Sequence, residues 1–212
     1  MTYTNSYKGK PLIVMKVISL EFGKKKIGFF RVGGVRQLEL RGAEIDYYEP
    51  LVDGTGGGHT EDPRDISSVV LTAAQSFSDR KGRLAGLEIR RLRLHYHHGD
   101  GSQTDVEGDL LEIDRSDKSL RIRGNGRVRY AGRSLSSDEI YFQPQDKTLF
   151  TKKTYTLTAN GESEKGSEIM TDLFLNPLPE KTAKENRVEA RRNVNNSNGK
   201  AKDFQNEREA NR

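Results

Sequence analysis

The 212-residue chain contains no cysteine and no tryptophan. The first absence removes disulfides and thiolate metal sites, while fitting any redox compartment and selecting none. Long hydrophobic runs are also missing, so no stretch of the sequence reads as a membrane-spanning helix. The most apolar early run, "PLIVMKVISL", carries Lys16 in its middle and lacks the parts of a signal peptide. A strong excess of charge is lacking as well. The formal net charge is +5, and residues 179–212 hold nine Lys and Arg against six Asp and Glu, a net of +3, which leaves +2 on residues 1–178. A body so nearly neutral argues against a nucleic-acid-binding domain, which needs a basic face. Catalytic signatures are missing too: there is no GxSxG, no carboxylate pair in a pocket-forming context, and Gly56-Gly57-Gly58 lacks the Lys-Ser/Thr ending of a phosphate loop. The reading is therefore a non-enzyme without a cofactor.

What is present is alternation. From Leu12 to about Leu175, "LEIRRLRLHY", "SLRIR", "RVRY", "TYTLTA" and "EIDYY" alternate apolar with polar residues at the period of a half-buried strand. Gly33-Gly34, Gly99, Gly124-Asn125-Gly126, Ala131-Gly132 and Asn160-Gly161 punctuate these runs as turns or bulges. Apolar residues make up 33%, and adding the 21 Gly brings this to about 43%, so a modest core under long polar surfaces is expected. Helical periodicity reads as weak throughout. The expected organisation is a flexible N-terminus over 1–10, one β domain over 11–178 with a mobile loop at 53–65, and a disordered polar tail over 179–212.

The domain carries an internal repeat. A shift of 29 positions aligns Asp117-Lys118-Ser119-Leu120 with Asp146-Lys147-Thr148-Leu149, Ala131-Gly132 with Asn160-Gly161, and Glu139-Ile140 with Glu168-Ile169. The alternation survives the shift. A further fragment, Gly42 to Tyr48, resembles "SDEIYF" at 137–142. Hairpin-like units of this size cannot bury their apolar faces alone, so stacking is required. The fold class that follows is all-β: an antiparallel β-jellyroll, or twisted two-sheet roll, with unpaired ends.

The segments Gly124-Asn125-Gly126-Arg127-Val128, Leu135-Ser136-Ser137-Asp138-Glu139-Ile140-Tyr141-Phe142 and Asp146-Lys147-Thr148-Leu149 resemble the repeated units of the OstA-like β-jellyroll family of lipopolysaccharide export. The likeness covers about 105–175 well and 27–50 loosely. "GGVRQLELRGAEIDYYEP", followed by an irregular insertion, is more similar to the family's inner-membrane-anchored member than to its uniform soluble relay. The resemblance implies a periplasmic carrier of lipopolysaccharide. Its partners would be further jellyroll carriers of the export bridge and an inner-membrane ABC transporter, with no nucleic acid. Membrane association would come only from an N-terminal anchor, which residues 1–26 do not contain.

Such a carrier needs an apolar trough for acyl chains. The inward row Ile45, Tyr47, Leu111, Ile113, Leu120, Ile122, Val128, Tyr130, Ile140, Phe142, Leu149, Tyr155, Leu157 and Ile169 would line it, or would form an ordinary packed core. Edges near 12–20 and 167–175 would dock neighbouring carriers by strand addition. His95 and His97, with Asp100 and Asp105 across a turn, fall short of a zinc ligand set, so no metal is expected. Arg90, Arg91, Arg93, Arg121, Arg123, Arg127, Arg129 and Arg133 read as cross-strand ion-pair partners of Glu112, Asp114, Asp117, Asp138 and Glu139 rather than as a phosphate-binding stripe. Two rivals remain: a structural β-repeat protein assembling through its edges, with a filled interior, and a sugar-binding sandwich with aromatics in a cleft.

Overall fold

The computed structural model describes residues 1–27, 30–50, 65–77, 86–114, 119–144 and 146–179. Met1–Pro177 form one compact unit. The all-β reading holds. Eleven strands make one sheet that is not a closed barrel, with one pair parallel and all others antiparallel. The strands are β1 (Thr2–Tyr7), β2 (Lys10–Ile27), β3 (Phe30–Tyr48), β4 (Gly86–His97), β5 (Gln103–Asp114), β6 (Leu120–Tyr130), β7 (Arg133–Gln143), β8 (Thr148–Thr151), β9 (Tyr155–Ala159), β10 (Glu162–Gly166) and β11 (Ile169–Asp172). They pair in the order 1-2-3-4-5-6-7-8-11, with β9 bridging β7 and β10.

A single sheet cannot enclose a core unless it folds over, and here it folds along a crease. Inward burial runs Leu38, Leu40, then Ala43, Ile45 in β3; Leu87, Ile89, then Leu92, Leu94 in β4; Val106, then Leu111 in β5; Leu135, Ser137, then Ile140 in β7. Each switch from even to odd positions, or the reverse, marks one extra residue in the strand. The crease is continuous across neighbours. Ladder registers slip between Glu107 and Leu110 and between Arg123 and Gly126, and Gly42, Arg91, Gly124 and Asn125 take positive φ along the same line.

The 29-residue repeat is thereby given a physical form. It maps β5 onto β7, β6 onto β8 plus β9, and β7 onto β10 plus β11. The gap from Thr151 to Tyr155 falls on Ile122 to Gly126, and the gap from Gly166 to Ile169 falls on Ser137 to Ile140. In the first copy the strands bend at the crease; in the second they break there. One wall then holds residues 139–143 of β7 with β8 and β11, and the other holds 133–137 with β9 and β10.

Three expectations are corrected. Residues 1–10 are not a flexible N-terminus: β1 pairs with β2 from Thr2–Lys16 to Tyr7–Lys10. For the same reason β2 is not a sheet edge up to Lys16. Residues 66–76 are a helix, α1 (Ile66–Ser76), lying against β1 and β2, with Tyr3 and Phe77 ring centroids 6.2 Å apart. Asp65 caps it, accepting from the Ser68 amide at 3.3 Å and the Ser68 hydroxyl at 2.9 Å. Its buried Ile66, Val69, Val70, Ala73 and Ala74 form one apolar stripe. Because β3 and β4 are parallel, their connection must cross over the sheet rather than turn tightly, and α1 belongs to that crossover. The expected loop at 53–65, apart from Asp65, and the tail at 179–212, apart from Pro179, lie outside the described residues.

The crease gives a stability prediction. A Cβ on Gly126 would sit 2.8 Å from the Ser137 carbonyl oxygen, a backbone atom that cannot swing away. Gly126→Val should cost about 1–3 kcal/mol, read as a lower urea midpoint. Asn125→Gly, at φ 51, should leave the midpoint unchanged or raise it.

Candidate functional site

The alternating faces of the two walls bring the inward row together. Ile45, Tyr47, Leu111, Ile113, Leu120, Ile122, Val128, Ile140, Phe142, Leu149, Tyr155 and Leu157 are all buried, none more than 6% exposed, while Tyr130 and Ile169 are partly buried against the same cluster. The walls touch across the fold: the rings of Tyr96 in β4 and Phe142 in β7 lie edge to face with centroids 6.2 Å apart. The row is thus a packed core, joined by residues outside the sequence-derived set such as Leu38, Leu40, Leu87, Ile89, Leu94 and Val106. An expectation of an open trough along these fourteen positions does not hold for this conformation.

Space appears instead at one end of the roll. A cavity of about 450 Å³ lies between the β1–β2 turn and the ends of β3 and β4, within the size range of small-molecule sites. Leu12, Tyr7, Tyr48 and Pro11 supply apolar lining; Lys8 and Lys10 stand on the same turn. Periodicity could not find it, because its lining comes from three separate segments, 7–12, 48–50 and 97–99.

His98 joins this cavity to the core. It is 7% exposed and packs between aromatic rings, with centroids 4.8 Å from Tyr96 and 4.8 Å from Phe174. The Thr104 hydroxyl donates to the Leu173 carbonyl at 2.9 Å, so its oxygen accepts from His98 Nε2 at 2.8 Å. That assigns the neutral ring its proton on Nε2 and leaves Nδ1 facing the Glu49 carboxylate at 3.9 Å. Burial pushes the imidazole pKa below its ordinary 6.5, and the Glu49 charge opposes this without reversing it.

Residues 173–176 form a strap over the same region. Asp172 Oδ1 accepts from the amides of Phe174 at 2.9 Å and Asn176 at 2.8 Å, folding the chain back after β11. Leu173 and Leu175 are buried, and Arg133 donates to the Phe174 carbonyl at 3.3 Å. The expected free edge at 167–175 is accordingly narrower: β11 pairs with β8, and its Thr171 bridges Pro177.

The outer face is a lattice of opposite charges. Arg90 donates to Glu39 at 2.6 Å, Arg121 to Glu139 at 2.9 Å through Nε, and Arg123 to Glu112 at 3.3 Å; Arg129 bonds Glu107. Four of the eight expected arginines, Arg90, Arg121, Arg123 and Arg129, are ion-pair partners, whereas Arg133 bonds the Phe174 carbonyl and Asn176. The actual acids include Glu39 and Glu107, because register sets the pairing. His95 bonds Asp105 at 2.7 Å and His97 bonds Asp46 at 3.1 Å, each with a single carboxylate. Among the described residues no three His, Asp or Glu converge as a metal site.

No protein-family model matches the chain, and no curated protein matches it.

The His98 environment predicts a pH dependence. With the folded pKa depressed, the unfolded chain takes up a proton first as pH falls through 6.5, so folding stability is full above that value and declines below it. Urea midpoints should drop between about pH 7.5 and pH 5.5, before the carboxylates titrate, and the drop should shrink in His98→Gln.

Proposed function

We propose that the chain is an OstA-like carrier of lipopolysaccharide, LptC-like in its opening segment, with a soluble LptA-like relay as the variant of the same reading. The observation that carries it is the creased sheet: two inward apolar walls, interrupted at one end by an apolar cavity with Lys8 and Lys10 on its turn. An acylated, anionic lipid presents the complementary surfaces, alkyl chains for the lining and phosphates for the cations. Burial of alkyl chains stabilises such a complex by about 0.8 kcal/mol per methylene removed from water. The packed core requires the walls to part as the chains enter from the cavity, with bound acyl groups replacing side-chain contacts. The reaction is binding and release without a covalent step. The location is the periplasm, with neighbouring jellyroll carriers and an inner-membrane ABC transporter as partners.

The filled interior favours one second reading, a structural β-repeat protein that assembles through its edges. Opposing arms of one experiment separate the two. A photo-crosslinking residue at Tyr48, in the cavity lining, should capture lipopolysaccharide, and one at Arg93, on the outer face, should not. Deacylated lipopolysaccharide should fail to compete. Equal labelling at both positions, with concentration-dependent polymers in sedimentation, would favour the structural reading.

A further inference from the structure

The cavity at the end of the roll contains one polar atom without a partner. His98 Nε2 donates to Thr104, whose hydroxyl proton is already committed to the Leu173 carbonyl, so Nδ1 carries a bare lone pair. Among the described residues no hydrogen bond reaches it. The side chain is only 3% exposed and belongs to the cavity lining, and Nδ1 faces the Glu49 carboxylate at 3.9 Å, which itself accepts from the Gly99 amide at 3.3 Å and bonds Lys147. Two acceptors thus face each other. An apolar group pressed against such a site would leave a buried acceptor unpaired, which is unfavourable.

The lining narrows what donor can satisfy it. Lys8, Lys10 and Lys147 against Glu49 make the neighbourhood net positive, which disfavours an ammonium donor and favours a neutral one on an anionic molecule. A hydroxyl suits both sides, since its proton goes to Nδ1 while its oxygen can accept from a lysine. The rest of the wall is largely apolar, with Leu12, Pro11, Pro50 and Tyr48, the last stacked flat on His97 with ring centroids 4.4 Å apart. One open acceptor in such a wall answers to one donor, not to the many hydroxyls of a free sugar. Because the cations and the acceptor share one small cavity, the hydroxyl has to sit within a few bonds of the anionic end.

We propose that His98 is a specificity-determining residue of this cavity, selecting an alkyl ligand with a hydroxyl close to its anionic end over a plain alkyl chain. In the complex the hydroxyl donates to Nδ1, the anionic end lies toward Lys8 and Lys10, and the chain covers Leu12 and Tyr48. A plain chain would bury similar apolar area and leave Nδ1 unpaired, so the discrimination comes from the acceptor and not from the lining. The inference rests on the lipid-carrier reading for the alkyl chain, and adds to it the chemistry and position of the group that is recognised.

The test is calorimetric titration of the full chain, at about pH 8 where the imidazole is neutral, with dodecanoate and with each enantiomer of 3-hydroxydodecanoate below their micellar concentrations. The hydroxyl makes the molecule more soluble in water, so a cavity that reads only apolar area should bind both hydroxy acids more weakly. His98 reverses this for one enantiomer, which should bind about ten-fold more tightly than dodecanoate, while the other, with its hydroxyl aimed away from Nδ1, should not. His98→Phe, which keeps a ring between Tyr96 and Phe174, should abolish the preference, and His98→Asn, whose carbonyl oxygen can stand near the place of Nδ1, should retain part of it. Two hydroxy acids that both bind more weakly than dodecanoate, or a preference that persists in His98→Phe, would overturn the proposal and leave the carrier reading standing. Binding of none of the three would remove both. The comparison on the parent chain decides the matter even if His98→Phe does not fold.

Discussion

The structure depends on a close approach of backbones along one line of the sheet. At the bend several positions leave no room for a further side-chain atom, and Gly42, Gly108, Gly124 and Gly126 occupy them. A Cβ on Gly108 would lie 2.4 Å from Ile122 Cγ2, and one on Gly124 would lie 2.8 Å from an Asp109 carboxylate oxygen. The second copy of the repeat solves the same problem with exchanged sizes. Gly126 opposite Ser137 in the first copy becomes Tyr155 opposite Gly166 in the second, where a Cβ on Gly166 would strike the Tyr155 ring. One partner must be glycine in each case.

From that crease the remaining architecture follows. Bending turns one face of one sheet into two facing walls, and the walls bury a common cluster from Leu12 to Leu175. The opposite face stays in water and carries ion pairs that are individually modest, their partners set by the register that the buried face fixes. The strap at 173–176 and the helix α1 join the same buried cluster. Any ligand entering the buried cluster therefore competes with side chains already in contact, while the cavity beside His98 holds open space of about 450 Å³.

Much of this was legible. The 29-residue shift and the fourteen inward positions were visible because strand alternation is local and reports burial directly. The helix also has a local signature, Asp65 as cap followed by the apolar stripe Ile66, Val69, Val70, Ala73 and Ala74, but β-branched and serine residues among them weaken it. Strand β1, "TYTNSY", has few large apolar residues, yet its backbone is held by pairing with β2.

The sequence by itself determined the all-β class, the repeat, the inward row and the outer arginine lattice, since each is encoded in spacing between near neighbours. Only the tertiary structure decided that one sheet bends rather than two sheets stacking, that β3 and β4 run parallel, and that the inward row packs shut. It also decided that His98 meets Thr104, Phe174 and Glu49. These outcomes depend on contacts between residues far apart in the chain, where register and approach distance, not local period, set which atoms meet.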